Sequence, residues 1–321
     1  MPTRVALLFA LVLCACAKPR EAESPLFGKW TSPLGRTHPL AGLVWDDGER
    51  KFVTDDDLFR ALGTATLVGI GEQHDNADHH AIQARLIDRL ASGGRKPGVV
   101  VEMLDFEEQH IVTDMLAAHP SDPDALSTAV DWDHSGWPSW AIYRPIFRAA
   151  SKHRLPLFAG GIDREAAMKL VADGPAAAPP ELVRDYGLKA ALPAPALESL
   201  RAEMRDAHCG LLPDTMLDGM IFVQRVRDAT LADGVARAGV SRGAVLIAGS
   251  GHVRRDRVPE LVRRRLNVRM LSVGLIEVRD GSTKPAQYAG AFGSAELPFD
   301  FVVFTPRVSD EDRCKEIRRK H

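Results

Sequence analysis

The sequence predicts an α/β fold: a central, mostly parallel sheet flanked by helices, with a helical insertion over about residues 174–240. Two observations predict it. Short apolar runs bounded by turn residues alternate with longer stretches of helical periodicity, and this alternation is typical of parallel strands joined by crossover helices. Near residue 174 the alternation stops, and two helical runs follow proline-rich breaks with no strand between them. We expect this insertion to pack over one edge of the sheet as a cap or lid.

The N-terminus has the pattern of a lipoprotein signal peptide. Arg4 precedes an apolar run of nine residues, 5–13, which is too short to span a membrane but suits a secretory signal. The letters LCAC at 13–16 resemble a bacterial lipobox, and Cys16 is the better lipidation site because a small alanine precedes it. Alanine rather than aspartate follows Cys16, so we expect an outer-membrane lipoprotein that faces the periplasm. An ordinary signal peptide that contains cysteines is the alternative.

The chain then divides into three further parts. We expect a polar linker over 17–40, a single α/β domain over 41–308 that includes the insertion, and a charged tail over 309–321. The net charge of −2 and the 45% hydrophobic content predict a soluble globular body on a lipid tether. A balanced charge argues against nucleic acid as a partner, since phosphate binding needs an excess of basic residues.

Two cysteines, Cys209 and Cys314, remain after the lipobox. In an oxidising periplasm they can form a disulfide that pins the C-terminal tail. Two unrelated thiols are an equal alternative, because connectivity cannot be read from sequence.

Five apolar runs predict strands that are mostly buried on both faces. In chain order they are ATLVGIG (65–71), PGVVVEM (97–103), LPLFAGG (155–161), GAVLIAGSG (243–251) and NVRMLSVGLIEV (267–278).

Helical periodicity fills the intervals between these strands. Residues 76–92 carry an apolar stripe of isoleucines and leucines, with Asp75 or Asn76 as the N-cap. The other predicted helices are about 105–118, 139–153, 163–173, 195–208, 214–238 and 256–266.

Two strand ends have the same form. LVGIGEQH places His74 behind a strand and glycines, and VLIAGSGH does the same for His252. Residues just past the carboxyl ends of parallel strands line the crevice where ligands bind. Glu102 ends a third strand, so Glu72, His74, Glu102 and His252 are expected to converge from three loops.

Such a set suits two kinds of chemistry. His74, His252 and Glu72 have the donor atoms of a Zn²⁺ or Mn²⁺ site, and with Glu102 they also suit general acid/base catalysis. The structural alternative is that a histidine caps a helix and the glutamates pair with arginines. A nucleotide loop is disfavoured, since GIGEQHD lacks the G-x-G-x-x-G spacing.

Aromatic residues concentrate in DWDHSGWPSWAIYRP. Three of the five tryptophans and Tyr143 lie within about twelve residues there, and Trp140 and Tyr143 share a helix face. Core anchoring at a helix start explains this on composition alone. The other interpretation is an apolar platform for a flat ligand, with a tyrosinate as axial ligand to ferric haem.

Arginines follow the second histidine loop. Arg254 and Arg255 lie directly behind His252 and are placed to meet an anionic substrate or haem propionates. His79 and His80 fall in the first turn of a helix, where they either line the crevice or face solvent, and solvent is the simpler expectation.

Several long motifs resemble, in the same order, the ChaN family of bacterial lipoproteins in the wider Tiki/TraB group. They are GEQHDNADHHAIQ, VVEMLDFEEQ, GWPSWAIYRPIFRAA, HCGLLP, QRVRDATLADGV, GSGHVRRDRVPELV and FTPR. The resemblance runs from about residue 41 to 308. It implies a periplasm-facing lipoprotein of haem or iron uptake that forms a homodimer, with haem at the dimer interface.

The Tiki/TraB relatives look like metal-dependent proteases built around two G-x-x-H loops. Here these are Gly71 to His74 and Gly249 to His252. Ser250 stands where asparagine is frequent, and AGGIDR at 159–164 has Gly-Ile where an asparagine is expected, so polar roles at those two points are in doubt.

The sequence therefore supports two alternative functions. We favour a haem-binding protein that uses Tyr143, Trp140 and His79, with Arg254 and Arg255 at the propionates. The alternative is a metal-dependent hydrolase or protease that uses the GEQH and GSGH loops.

Overall fold

The computed structural model describes residues 24, 26–312, 314 and 315. The predicted signal peptide, with lipidation site Cys16, lies outside the described residues, as does the first part of the predicted linker. Within the described ranges, no helix has the length and apolar character needed to cross a membrane.

Eight strands form one sheet in the described part of the chain, in the order β2-β1-β8-β7-β3-β6-β4-β5. The strands are β1 (Val44–Asp46), β2 (Lys51–Val53), β3 (Leu67–Glu72), β4 (Gly98–Asp105), β5 (Leu157–Gly161), β6 (Ala244–Gly249), β7 (Met270–Glu277) and β8 (Phe301–Thr305). The five predicted strands are β3 to β7, and all are confirmed.

The sheet is parallel from β8 to β5 and antiparallel at one edge. β3 lies between β6 and β7 and pairs with both in parallel, whereas β1 pairs antiparallel with β2 and β8. The sequence did not predict β1, β2 or β8. β1 and β2 have only three residues each, too few for strand periodicity to emerge.

Helices cover both faces of the sheet. They are α1 (Asp55–Thr64), α2 (Ala77–Ser92), α3 (Gln109–Ala118), α4 (Pro123–Ala129), α5 (Trp140–Lys152), α6 (Arg164–Asp173), α7 (Pro180–Asp185), α8 (Ala194–Ala207), α9 (Asp214–Ala238), α10 (Ser250–Val253) and α11 (Val258–Leu266). Short 3₁₀ turns occupy Phe106–Glu108, Trp132–His134, Gly174–Ala176 and Pro285–Phe292. Asn76 rather than Asp75 caps α2, because its side chain accepts from the backbone N–H groups of residues 78 and 79.

Successive residues of the central strand feed two separate cores. Val68 of β3 belongs to the same core as Ile82 of α2 and Phe147 of α5 on one face, whereas Leu67 belongs to the core that contains Val226 of α9 and Val258 of α11 on the other. This alternation is the period-two geometry of a strand buried on both faces.

The long helix of the predicted insertion packs against β4, β5 and β6, so it covers one face of the sheet near the β5 end rather than lying beyond the edge, and the role of the insertion as a cap or lid stays a prediction. Its long helix, α9, buries Val226, Leu231 and Val235 in the core that also contains Val100 of β4. α8 packs outside α9 through a small cluster that includes Leu200. α9 is thus part of the layer that covers the sheet, and α8 lies over that layer.

Cys209 and Cys314 form a disulfide, with their Cα atoms 5.3 Å apart. The bond attaches the start of the charged tail to the turn between α8 and α9. Of the two alternatives that the sequence leaves open, the structure has the disulfide.

Candidate functional site

The predicted convergence lies at the carboxyl ends of β3, β6 and β4. Glu72 and Gly249 are register partners at the ends of adjacent parallel strands. Oε2 of Glu102 accepts a hydrogen bond of 2.8 Å from the backbone N–H of Gly249, and Nε2 of His252 lies 3.3 Å from Oε1 of Glu102. His74 faces the same point, since a Cβ built on Gly249 would lie 2.9 Å from its Nε2. The structure therefore brings together the four residues singled out in the sequence.

Close packing of the two histidine loops explains their glycines. A Cβ built on Gly71 would lie 2.8 Å from the Cα of Ser250, a distance at which the backbone of the second loop would have to move. The glycines thus permit the approach of the two strand ends.

The first carboxylate–imidazole pair is Glu72 with His74. Oε1 of Glu72 lies 2.9 Å from Nδ1 of His74 and accepts a 3.0 Å hydrogen bond from the hydroxyl of Tyr143. Nε2 of the buried His80 lies 3.2 Å from the other carboxylate oxygen. Burial opposes ionisation, but His80 and His74 outweigh it and hold the pKa of Glu72 well below its usual range.

The second pair is Glu102 with His252, and a third residue joins it. Nδ1 of His252 lies 2.7 Å from Oδ1 of Asp228 on α9, with both side chains less than a tenth exposed. Burial disfavours the imidazolium, but Glu102 and Asp228 overcome it and raise the pKa of His252 to about 10. Conversely, His252 lowers the pKa of the buried Glu102 to about 2. His252 is therefore an imidazolium held between two carboxylates.

The expected metal set of His74, His252 and Glu72 is not assembled as ligands. His252 is committed to Glu102 and Asp228, and Nδ1 of His74 to Glu72. Among the residues that the structure describes, no group of three or more His, Cys, Asp or Glu side chains is arranged to hold a metal ion.

Tyr143 and Trp140 belong to the core rather than to an open platform. Tyr143 is fully buried, and burial together with Glu72 strongly raises the pKa of its hydroxyl, which disfavours a tyrosinate. Nε1 of Trp140 donates to Asp124 at 2.7 Å, and its ring packs against Trp132. Both residues therefore anchor the core, which is the alternative that the composition indicated.

The two arginines behind His252 are not directed at an anionic ligand. Arg254 is buried and forms a two-point ion pair with Asp256. Arg255 lies 3.1 Å from Asp47 and donates to the backbone carbonyl of residue 297. Their expected role at haem propionates is not supported by these contacts, because both charges already have carboxylate partners.

His79 is also occupied, and neither it nor His80 faces solvent. Both are fully buried. Nδ1 of His79 accepts from the backbone N–H of Gln73, and its Nε2 lies 2.7 Å from Oγ1 of Thr305. Burial lowers the pKa of His79 to about 3, so it is a neutral histidine that joins β3 to β8. The expected cofactor contact is replaced by a structural one.

A cavity of about 570 Å³ opens beside the Glu102 side of the crevice. Its walls come from the ends of β4 and β5, the turn 131–137, α6 and α9. Its apolar lining includes Trp137, Ile162, Met168, Met220 and Val223. Pockets for small molecules and cofactors usually measure about 300–1,000 Å³ and have this mostly apolar character.

The cavity is lined by two arginines and by six carboxylate side chains, those of Glu102, Asp105, Glu107, Glu108, Asp131 and Asp163. Arg164 and Arg227 line it, and neither forms an ion pair with any residue of the described ranges. At the end of β4, burial raises the pKa of Asp105, and Asp163 adds to that shift. Burial and Asp105 likewise raise the pKa of Glu108. An anionic group in this cavity is therefore stabilised at the arginines and repelled at the carboxylates.

Sequence reasoning missed Asp228 and three residues that line the cavity: His134, Arg164 and Arg227. A carboxylate near the middle of the long QRVRDATLADGV helix was a signal, since a charge among apolar residues usually has a partner. Its partner, His252, lies 24 residues away on another element, and no local pattern reveals that.

The comparisons with known proteins agree with this architecture. A family model described as haem-binding uptake, Tiki superfamily, ChaN matches residues 58–259. The solved structure of ChaN of Campylobacter jejuni with cofacial haem is 19% identical, with a TM-score of 0.58 over 81% of this chain and 95% of that one. None of the curated proteins compared with the chain matches it significantly.

Two further solved structures overlap more loosely. The type III effector HopBA1 is 12% identical, with a TM-score of 0.43 over 78% of this chain and 93% of its own. An erythromycin esterase in its open conformation is 12% identical, with a TM-score of 0.41 over 89% and 99%. Neither overlap is close enough to bear on function.

Fold and site define an α/β protein whose ligand crevice lies at the carboxyl ends of parallel strands. Because the family model spans more than half of its length, the chain belongs to the ChaN family of the Tiki superfamily.

Proposed function

We propose that this chain binds haem in the cavity beside Glu102, as part of haem or iron uptake. Haem is the favoured ligand because the chain belongs to the haem-binding uptake family. The observation that carries the proposal is the cavity itself, which joins an apolar lining to the arginines 164 and 227, neither of which has an ion-pair partner in the described part of the chain.

The residues present fit the chemistry of haem. A porphyrin presents two apolar faces, which suit Trp137, Ile162 and Met168. Its two propionates match Arg164 and Arg227, because guanidinium groups form strong charge-assisted hydrogen bonds with carboxylates. Bound haem supplies an iron centre that takes nitrogen, sulfur or oxygen ligands from the protein.

Haem titration of the full-length chain, purified in mild detergent, tests the proposal. We expect the Soret band to shift and to saturate, while a detergent blank shows no saturation. The double variant Arg164→Gln with Arg227→Gln should weaken binding by about tenfold or more, since a hydrogen bond to a charged group contributes about 1.5–3 kcal/mol.

Arg242→Gln is the matched control for that variant. Arg242 is exposed and, like Arg164 and Arg227, forms no ion pair in the described ranges, but it precedes β6, at the opposite end of the strands. Equal haem affinity of the double variant and the control would remove the propionate assignment. Failure of the unaltered chain to saturate would remove haem binding altogether.

A lipid anchor and a periplasmic location form the second part of the proposal. The lipobox at Cys16 supports both. The Cys209–Cys314 disulfide supports an oxidising compartment, because disulfides rarely persist in the cytosol. Metabolic labelling with palmitate should mark the full chain and be lost in Cys16→Ser, whereas Cys14→Ser should keep the label.

A homodimer with haem at its interface is the third part. Met168 lines the cavity and is 48% exposed, so a second copy would cover apolar surface there. Light scattering with and without haem tests this, and an unchanged monomer mass with haem bound would contradict it.

A hydrolase or protease is the second candidate function. The paired carboxylates and imidazoles of the crevice favour it, because His74 is 37% exposed at its side chain while Glu72 is fully buried behind it. Such a pair suits general acid/base chemistry. Metal analysis alongside ester and peptide hydrolysis assays tests it. Absence of a Soret change, together with stoichiometric Zn or Mn that is lost in His74→Ala, would favour this function over haem binding.

A further inference from the structure

The turn at residues 131–137 holds a histidine at the wall of the haem cavity. Trp132 anchors the turn, since it is 2% exposed and its Nε1 donates to the carbonyl of Pro138 at 2.9 Å. Trp132 begins a short 3₁₀ helix that ends at His134, and His134 lines the cavity together with Trp137. Of the described histidines, His134 alone lines this cavity.

The partner of His134 leaves one ring nitrogen available. Nδ1 of His134 lies 2.7 Å from Oδ1 of Asp131, and this contact favours the tautomer in which Nδ1–H donates to the carboxylate. Nε2 then carries the free lone pair, and no residue of the described ranges forms a hydrogen bond with it. Metal-bound histidines usually donate their other N–H to a carboxylate or carbonyl, which fixes the ring and increases its basicity.

The turn contains two residues in the left-handed region. Asp131 has φ 47°, a conformation that aspartate adopts more readily than most other non-glycine residues. Gly136, with φ 85°, closes the same turn without steric cost. This turn geometry brings the Asp131 carboxylate beside the imidazole of His134.

The other candidate donors are less suited. The Tyr143 hydroxyl is buried and engaged with Glu72. His74 does not line the cavity and packs edge-on against Trp137 at 5.0 Å. The thioethers of Met168 and Met220 do line the cavity, but they lack a charged partner that would fix their direction.

We propose that His134 is an axial ligand of the haem iron, through Nε2, and that Asp131 is its positioning residue. This inference rests on the proposed haem-binding function and replaces Tyr143 as the iron ligand. Haem would then meet the chain through one imidazole from the turn, with its propionates at the arginines of α6 and α9.

Spectroscopy of the haem complex of the full-length chain tests the assignment. We expect the ferrous complex to show an Fe–histidine stretching band by resonance Raman. His134→Ala should abolish that band and weaken haem binding by about tenfold or more, and added imidazole should restore a nitrogen-ligated spectrum. Because His134 is exposed, the variant should keep the far-UV dichroism of the unaltered chain.

Two further variants separate ligation from structure. His110→Ala removes another exposed histidine, on α3, that does not line the cavity, and should leave the band unchanged. Asp131→Asn keeps a hydrogen-bond acceptor but removes the charge, so it should shift the Fe–histidine band to lower frequency without abolishing it.

The outcomes distinguish the two proposals. If haem saturates the unaltered chain and His134→Ala keeps its Fe–histidine band, or if Tyr143→Phe rather than His134→Ala changes the iron ligation, the axial assignment is wrong and haem binding stands. If the unaltered chain does not bind haem, the proposed function fails and the axial assignment fails with it.

Discussion

Asp228→Asn should destabilise the protein because it removes one of the two carboxylates that flank the buried His252 imidazolium. The His252 pKa rises from 6.5 to about 10 in the folded protein, which corresponds to about 5 kcal/mol at 1.36 kcal/mol per pKa unit. Glu102 remains in the variant, so we assign about half of that energy, roughly 2–3 kcal/mol, to Asp228. Removing one member of a buried ion pair commonly costs about 3–5 kcal/mol, which sets the upper limit.

The effect should depend on pH in a defined direction. A histidine whose pKa is raised on folding contributes stability that is complete below the unfolded pKa of about 6.5 and is lost as the pH rises through about 10. The difference between the unaltered chain and Asp228→Asn should therefore be largest near pH 6, slightly smaller at pH 7, and should shrink as the pH approaches about 11.

Chemical and thermal unfolding followed by circular dichroism, with the disulfide intact, measure this difference. The thermal midpoint should fall by about 5–10 °C at neutral pH, since about 1 kcal/mol corresponds to about 2–4 °C for a domain of this size. Asp218→Asn is the matched control on the same helix, because Asp218 is 80% exposed and pairs with Arg201 at the surface. It should cost less than about 1 kcal/mol. Equal losses in both variants, or a loss at Asp228 that does not vary with pH, would show that Asp228 does not stabilise a His252 imidazolium.

Three other outcomes are expected. Tyr143→Phe removes a hydroxyl that donates to Glu72 and should cost about 1–2 kcal/mol of stability, while the Soret band of the haem complex stays unchanged; a shifted band in a folded variant would restore Tyr143 as a ligand. Gly249→Ala places a Cβ 2.9 Å from Nε2 of His74 and should cost about 1–3 kcal/mol, with a changed His74 titration by NMR as the readout. Glu108→Gln removes one acidic charge from the cavity and should strengthen haem binding by up to about threefold at low salt, less at high salt; weaker binding would contradict the charge argument.

The crevice was predictable because its parts are local in sequence. Each histidine loop follows a strand whose apolar run is continuous, and Glu102 ends a third such run. The parallel arrangement of these strands then brings their carboxyl ends to one edge of the sheet. The residues that follow each predicted strand are therefore the residues that meet there.

Burial and side-chain direction were not predictable in the same way. His79 and His80 start a helix, where polar residues usually face solvent. The hydrogen-bond partner of His79, however, is Thr305, which lies 226 residues later in the chain. Arg254 and Arg255 were expected to meet a ligand because they follow His252, and their real partners, Asp256 and Asp47, follow from packing. Such pairings depend on tertiary contacts that periodicity does not encode.

The Cys209–Cys314 disulfide also determines what happens to a cleaved molecule. Any single cut between these two cysteines yields one fragment that contains Cys209 and another that contains Cys314, so the bond keeps them joined. The two cysteines are 105 positions apart in the sequence. The segment between them contains Asp228, the second histidine loop and the last three strands of the sheet. If the N-terminus is lipidated, a single proteolytic cut between the two cysteines would leave both fragments attached to the membrane until the disulfide is reduced.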